Sequence, residues 1–270
     1  MRTIKSLAIL ALFASLSENS WAISPNPPTQ AAGYTLVFDD NFTILNLAPS
    51  SVTTGDYPWY RGVWYQNTAN PFNASIGSSG LDLAWTPGQT LPNTVISSCS
   101  STGYHCHAFR YGYFEAQMKW DVSVGAWPAF FMLPVQNIWQ SPESGELDVF
   151  EGQGETKESH TFYGTIHDWL TVNGVATDVA NNRYTNHVVI PGVDFSQWHT
   201  YGVLWVPGTV TWYLDNSPVL TYQTFPIFDQ QYYYLMLGSQ EGVNWQTGNT
   251  TGVTASSLNL YVNWVKVWQK

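Results

Sequence analysis

Three carboxylates fall within six residues of the segment Gly145-Glu146-Leu147-Asp148-Val149-Phe150-Glu151-Gly152, in a chain of which only 10% of residues are charged. The apolar residues between them predict a β-strand. Successive strand side chains alternate faces, so Glu146 and Asp148 share one face while Leu147 and Val149 turn toward a core. Glu151 has the wrong parity for a regular strand. One extra residue, a β-bulge at Val149 or Phe150, would return it to the face of Glu146, and bulges re-aim side chains beside active sites. An alternating strand can also carry Asp and Glu on a solvent-washed face. Against that reading, strands are depleted in these residues, acids are scarce elsewhere, and the neighbouring segments are rich in Trp and Tyr. Two carboxyl groups about 5 Å apart, one ionised and one protonated, are what retaining glycoside hydrolysis needs as nucleophile and general acid/base. A third acid beside them can raise a partner's pKa and hold the geometry.

Glu146-x-Asp148-x-x-Glu151 resembles the signature of glycoside hydrolase family 16 in its bulged, laminarinase-like form. Tyr111-Gly112-Tyr113-Phe114-Glu115-Ala116 resembles the family's Y-G-x-F-E-A strand. Ala126-Trp127-Pro128-Ala129-Phe130-Phe131-Met132-Leu133 resembles its W-P-A-x-W-M-L segment, with Phe131 where a Trp is common. His199-Thr200-Tyr201-Gly202-Val203-Leu204-Trp205 followed by Trp212-Tyr213-Leu214-Asp215 is similar to its H-x-Y-x-x-x-W…W-Y-x-D hairpin. These segments run in family order through most of the region from about Val37 to the C-terminus.

Motif order and chemistry, together with the resemblance, point to Glu146 as nucleophile, Glu151 as general acid/base and Asp148 as the residue that tunes which of them is protonated. The resemblance also nominates substrate-binding residues. Trp127 would lie beside the reacting sugar, with a buried core Trp as the alternative. Glu115 corresponds to a glutamate near the glycone sugars, with an exposed structural Glu as the alternative. His167, in Thr165-Ile166-His167, would face the cleft, unless it is a satisfied core histidine. Trp205 and Trp139 are further candidates, each of which could serve packing only. Asn263 stands where relatives often carry an Asp implicated in structural calcium; an amide oxygen can ligate, but the lost charge lowers that expectation, and no cofactor is expected.

The elements that must position these residues are many and short. Strand candidates are Tyr34–Phe38, Leu81–Trp85, Tyr111–Trp120, Pro128–Leu133, Glu146–Phe150, Thr161–His167, His199–Trp205, Val210–Leu214, Tyr232–Gly238 and Leu258–Trp268. No amphipathic helix longer than a couple of turns is evident. The pattern predicts an all-β protein, an antiparallel β-sandwich of jelly-roll type with a concave cleft. In Tyr111–Trp120, Phe114, Ala116, Met118 and Trp120 share one face, and Tyr113, Glu115, Gln117 and Lys119 the other. In the last strand Leu258, Leu260 and Val262 have one parity, Val265 and Val267 the other, which suggests a second bulge or burial on both faces. The Pro49–Pro58 and Asn67–Gly80 loops and the insert Val172–Val188 are expected to wall the cleft.

Residues 1–22 read as a signal peptide: a basic start at Arg2 and Lys5, a short apolar run from Leu7 to Leu16, and Ser20-Trp21-Ala22 as a small-x-small cleavage site. Residues 23–33, with Pro25, Pro27 and Pro28, read as a flexible lead-in, and 34–270 as one catalytic domain. The expected protein is exported, extracellular or periplasmic, with no membrane segment after signal removal, and the resemblance implies a monomer. Its net charge of −10 argues against nucleic acid, whose phosphates need cations, and disfavours anionic polysaccharides. A neutral β-linked polysaccharide fits better, since 14 Trp among 16% aromatic residues offer flat apolar faces to sugar rings, although most such rings fill sandwich cores. Cys99 and Cys106 read as a local disulfide in an exported protein. Their neighbours His105 and His107 leave a zinc site as the alternative. Sequons at Asn41, Asn73 and Asn249 matter only in a host that glycosylates. The leading expectation is a retaining endo-β-glycanase acting on β-1,3- or mixed β-1,3/1,4-glucan. A β-galactan hydrolase, a transglycosylase and a non-catalytic lectin-like domain are the alternatives.

Overall fold

Runs of β-branched and aromatic residues, cut short by Gly, Asn and Pro, form two antiparallel sheets of nine and eight strands among the described residues. The computed structural model describes residues 27–50, 55–61, 72–86, 93–138, 141–154, 160–179, 185–241, 253 and 255–270. The front sheet runs, in spatial order, Val175–Asp178, Thr161–Val172, Glu143–Glu151, Ala126–Pro134, Tyr233–Glu241, Asn93–Ser97 and Tyr60–Arg61. Thr185–Val189 also pairs with Thr161–Val172, and Ala108–Phe109 with Tyr233–Glu241. The back sheet runs Ser217–Gln223, Thr209–Leu214, His199–Val206, Gly112–Trp120, Leu258–Gln269, Gly80–Trp85 and Asn73–Gly77, with Thr35–Asp40 added along Leu258–Gln269. This is the all-β sandwich expected from the strand pattern. Val135–Ile138 forms a single helical turn.

The inner faces of the two sheets share one core. Phe114, Ala116, Met118, Trp120, Val203, Val265 and Val267 meet Phe130, Met132, Leu147, Val149, Phe150, Phe162 and Ile166 there. Each such fully buried side chain is worth about 1.5–3 kcal/mol of transfer free energy, and the Phe150 ring lies 4.3 Å from that of Tyr201 across the sandwich. The parity shift in the last strand is a bulge: Val262 faces Met118 and Trp264 faces Gln117, which leaves Asn263 as the extra residue. The Asn263 side-chain amide donates to Gln117 Oε1 at 2.6 Å. Calcium wants several oxygen ligands and negative charge; among the described residues no group of three or more His, Cys, Asp or Glu side chains is arranged to hold a metal ion.

Several edge strands escape the sequence pattern. Asn73–Gly77, Val175–Asp178 and Ser217–Gln223 are sheet-edge strands without a fully buried residue; Ala74, Ile76, Val219, Leu220 and Tyr222 pack only partly against the core, Val175–Asp178 has no such residue, and backbone pairing with a neighbour makes all three strands. Two segments expected as loops therefore contain strands. The lead-in also differs from expectation: Thr29–Ala31 forms a 3₁₀ turn, Ala31 packs with Tyr113 and Trp268 on the outside of the back sheet, and Gln30 donates to the Tyr113 hydroxyl at 2.7 Å. The expected signal peptide, residues 1–22, lies outside the described residues. Cys99 and Cys106 are joined by a disulfide, and His105 turns instead to Asp56, 2.8 Å away.

Candidate active site

The strand Glu143–Glu151 sits inside the front sheet, paired on both edges, and carries its bulge at Val149. On one edge Tyr163 faces Glu151 while Thr165 faces Asp148, so two steps there match three here. On the other, Phe130 faces Phe150 and Phe131 faces Asp148. Val149 and Phe150 both enter the core, and Glu151 returns to the outer face beside Glu146 and Asp148. A bulge leaves backbone groups without a ladder partner, which is costly when buried. Trp212 supplies one: its indole N–H crosses the core to the Asp148 carbonyl at 2.8 Å. Gly164 makes room for that ring, since a Cβ there would lie 2.6 Å from Trp212 Nε1.

Indoles hold both glutamates. Trp127 Nε1 donates to Glu151 Oε1 at 2.8 Å, and Trp169 Nε1 donates to Glu146 Oε2 at 2.5 Å. His167 faces Glu146 across the strand pair, with its Nε2 3.1 Å from Asp148 Oδ2 and its Nδ1 2.8 Å from Asp178 Oδ2. The His167 and Trp169 rings stack at 5.2 Å. Asp148 and Glu151 are buried, at 2% and 7% exposure, whereas Glu146 is only half-buried and stays reachable from outside.

Burial and then the charge of Asp148 lift the Glu146 carboxyl to about 7, against the pull of His167 and the Trp169 indole. The same two causes, in the same order, raise Glu151 well above the ordinary carboxyl range. Burial opposes charge on His167 as well, but the carboxylates of Asp148 and Asp178 outweigh it and push the imidazolium up to about 12. Near neutral pH the cluster therefore pairs a carboxyl that readily ionises with one that keeps its proton, which is the division acid–base chemistry needs.

Of the residues nominated from the sequence, Glu146, Asp148, Glu151, Trp127 and His167 come together. Trp139 lies outside the described residues. Glu115 does not join them: it projects from the outer face of the back sheet, where it accepts a hydrogen bond from the Tyr113 hydroxyl at 2.8 Å. Trp205 is fully buried, packs edge-on against Tyr111, Phe228 and Tyr233, and donates to Asp229 Oδ1 at 2.9 Å. It is a core residue. Trp169 and Asp178 belong to the cluster and were not nominated. Trp169 shares the parity of Thr165 and His167. Asp178 is brought back by a two-residue hairpin turn at Asn173-Gly174, whose φ angles of 52° and 77° are the left-handed values that Asn-Gly favours.

A family model for glycosyl hydrolases family 16 matches residues 61–266. An endo-1,3-1,4-β-glycanase of Rhizobium meliloti (strain 1021) is 28% identical over 223 residues, which cover 80% of this chain and 44% of that protein. A second endo-1,3-1,4-β-glycanase of that organism is 27% identical over 271 residues, 96% of this chain and 53% of its own. The chain thus spans about half the length of these two relatives. A β-glucanase of Rhodothermus marinus is 24% identical over 288 residues, covering 100% of this chain and 97% of that one. Among solved structures, the laminarinase catalytic domain of Thermotoga maritima MSB8 shares the fold, with a TM-score of 0.65 at 20% identity over 88% of this chain and 98% of that chain. The family match covers the acid strand, both of its neighbours and the indoles that grip its glutamates: this chain belongs to glycosyl hydrolases family 16.

Proposed function

We propose that the protein is an exported endo-β-glucanase that cleaves β-1,3- or mixed β-1,3/1,4-glucan with retention of configuration. The observation that carries this reading is the bulge at Val149, which puts Glu151 on the face of Glu146. In the first step Glu146 attacks the anomeric carbon while Glu151 protonates the departing glycosidic oxygen, leaving a glycosyl-enzyme ester. In the second, Glu151 takes a proton from water, which attacks the same carbon and releases Glu146. Glu146 is assigned as nucleophile because it is the more exposed of the two and can be reached by an anomeric carbon. Asp148, between them, disfavours a second negative charge and so keeps Glu151 protonated. Trp127 anchors Glu151 and is half-buried, which leaves part of its ring to a sugar.

The β-glucanase relative of Rhodothermus marinus and the low cation count support a neutral glucan as substrate, and the basic-then-apolar start of the chain supports export. Glu146→Ala and Glu151→Ala are each expected to abolish turnover with the fold intact; wild-type rates in either overturn the assignment. Azide should rescue Glu146→Ala with inverted product, and the wild type should release the retained anomer first, as read by NMR. Reducing-sugar release from laminarin, lichenan and agarose in parallel fixes the polymer. Cleavage of agarose alone would replace the glucan with a galactan, and binding without release would replace the enzyme with a lectin.

A further inference from the structure

Asp178 closes a part-buried chain of charges that the family signature does not contain. The hairpin pairs Val172 with Val175 and sets Asp178 opposite Trp169. From there one carboxylate oxygen lies 2.8 Å from His167 Nδ1 and the other accepts the Asp168 backbone N–H at 3.2 Å. The far side of the imidazole, Nε2, lies 3.1 Å from Asp148. Nδ1 is within hydrogen-bond distance of Asp178, and Nε2 makes an ion-pair contact with Asp148, so a doubly protonated ring would be met by a carboxylate on each side. Trp169 stacks on the imidazole while its own N–H holds Glu146. The described charged groups facing His167 are Asp148, Glu146 and Glu151 from the acid strand and Asp178 from the hairpin.

We propose that Asp178 is a positioning residue that acts through His167: it keeps the imidazole doubly protonated, so that a positive charge stays beside Asp148 and the two glutamates. This rests on the reading of Glu146 and Glu151 as the catalytic pair. Without the charge of Asp178, His167 has one carboxylate neighbour instead of two and gives up its proton at lower pH. Asp148 then faces Glu146 and Glu151 with its negative charge uncompensated. The loss falls on turnover more than on substrate binding, because Asp178 lies behind His167.

The test is Asp178→Asn, whose amide oxygen can still accept from Nδ1–H but carries no charge. At pH 5, below the ordinary imidazole value of about 6.5, kcat/KM should stay close to wild type. By pH 8 it should fall by about tenfold or more, because without the second carboxylate His167 returns toward that ordinary range and loses its proton below pH 8. The loss should lie in kcat, and Asp178→Glu should restore the profile. Imidazole ¹⁵N shifts give a readout independent of turnover: His167 should stay protonated at pH 8 in the wild type and titrate below it in Asp178→Asn. Superimposable pH profiles, or a uniform loss at every pH with a lowered Tm, overturn the inference. Glu146→Ala and Glu151→Ala run alongside separate the two levels. If they are dead and Asp178→Asn is unaltered, only the positioning role fails; if either retains activity, the catalytic reading itself fails.

Discussion

The outer faces of the two sheets each carry a glutamate whose carboxyl is lifted to about 7, the half-buried Glu146 on the front and the buried Glu115 on the back. Burial is the main cause in both, yet the neighbours differ in kind. Around Glu115 they relieve the cost: the Tyr113 hydroxyl donates to it, and Lys266 stands directly across the strand pair and lowers its pKa. Gln30 and Ala31 of the lead-in then dock on Tyr113, the donor to that carboxyl. Around Glu146 the nearest charges are more acids, and only the indole of Trp169 and the imidazolium of His167 work the other way. The back sheet neutralises a buried acid to hold the chain's start in place. The front sheet concentrates acids against their mutual repulsion, and such a cluster persists only because the surrounding sheet over-determines it.

This contrast predicts opposite results from removing the acids. Glu151→Gln should cut kcat by about 10³-fold or more, yet leave Tm at pH 8 unchanged or higher, because it deletes a charge the fold had to suppress. A lower Tm would mean that the front cluster is structural after all. Glu115→Ala should do the reverse: kcat on laminarin unchanged, with stability lowered by about 1–3 kcal/mol in urea titration, because the buried Tyr113 hydroxyl loses its acceptor and Lys266 one of its acidic neighbours. Lost catalysis at full stability would return Glu115 to the substrate.

Trp212→Phe probes what the front sheet spends to hold its bulge. Losing the indole N–H leaves the Asp148 carbonyl without that donor, at a cost of about 1–3 kcal/mol, and the same variant should lower kcat by loosening Asp148. Equal stability and rate would show that the bulge needs no such prop. The smallest effect is in pH dependence. A carboxyl lifted to about 7 in the folded state binds a proton that the unfolded chain has already released above about 4.3. Its contribution to stability is thus fully present below that pH and is lost as pH rises through 7. Glu146→Gln should remove up to one proton from the slope of unfolding free energy against pH across that window. An unchanged slope would assign it to other lifted carboxyls, such as Glu115 and Glu151.

Much of this was legible from residue order. Parity along Glu146–Glu151 called for a bulge because three acids could not otherwise share a face, and the change of parity at Asn263 announced another. The inward set of Gly112–Trp120 was equally plain. Asp178 stayed hidden although the Asn173-Gly174 turn signal was present, because the strand that turn serves has no apolar face to reveal it. Trp205 was nominated on resemblance, and only its enclosure by Tyr111, Phe228 and Tyr233 made it core.

Glu115 marks the boundary most sharply. Alternation along its strand correctly put it on an outer face, but a sandwich has two outer faces and the period of two is identical on both. The order of residues therefore determined what points in and what points out, and which chemistry the outward groups could perform. Which outer face becomes the site was decided by the pairing of strands distant in sequence, since only that pairing brings Trp127, His167, Trp169 and Asp178 around the three acids of one strand.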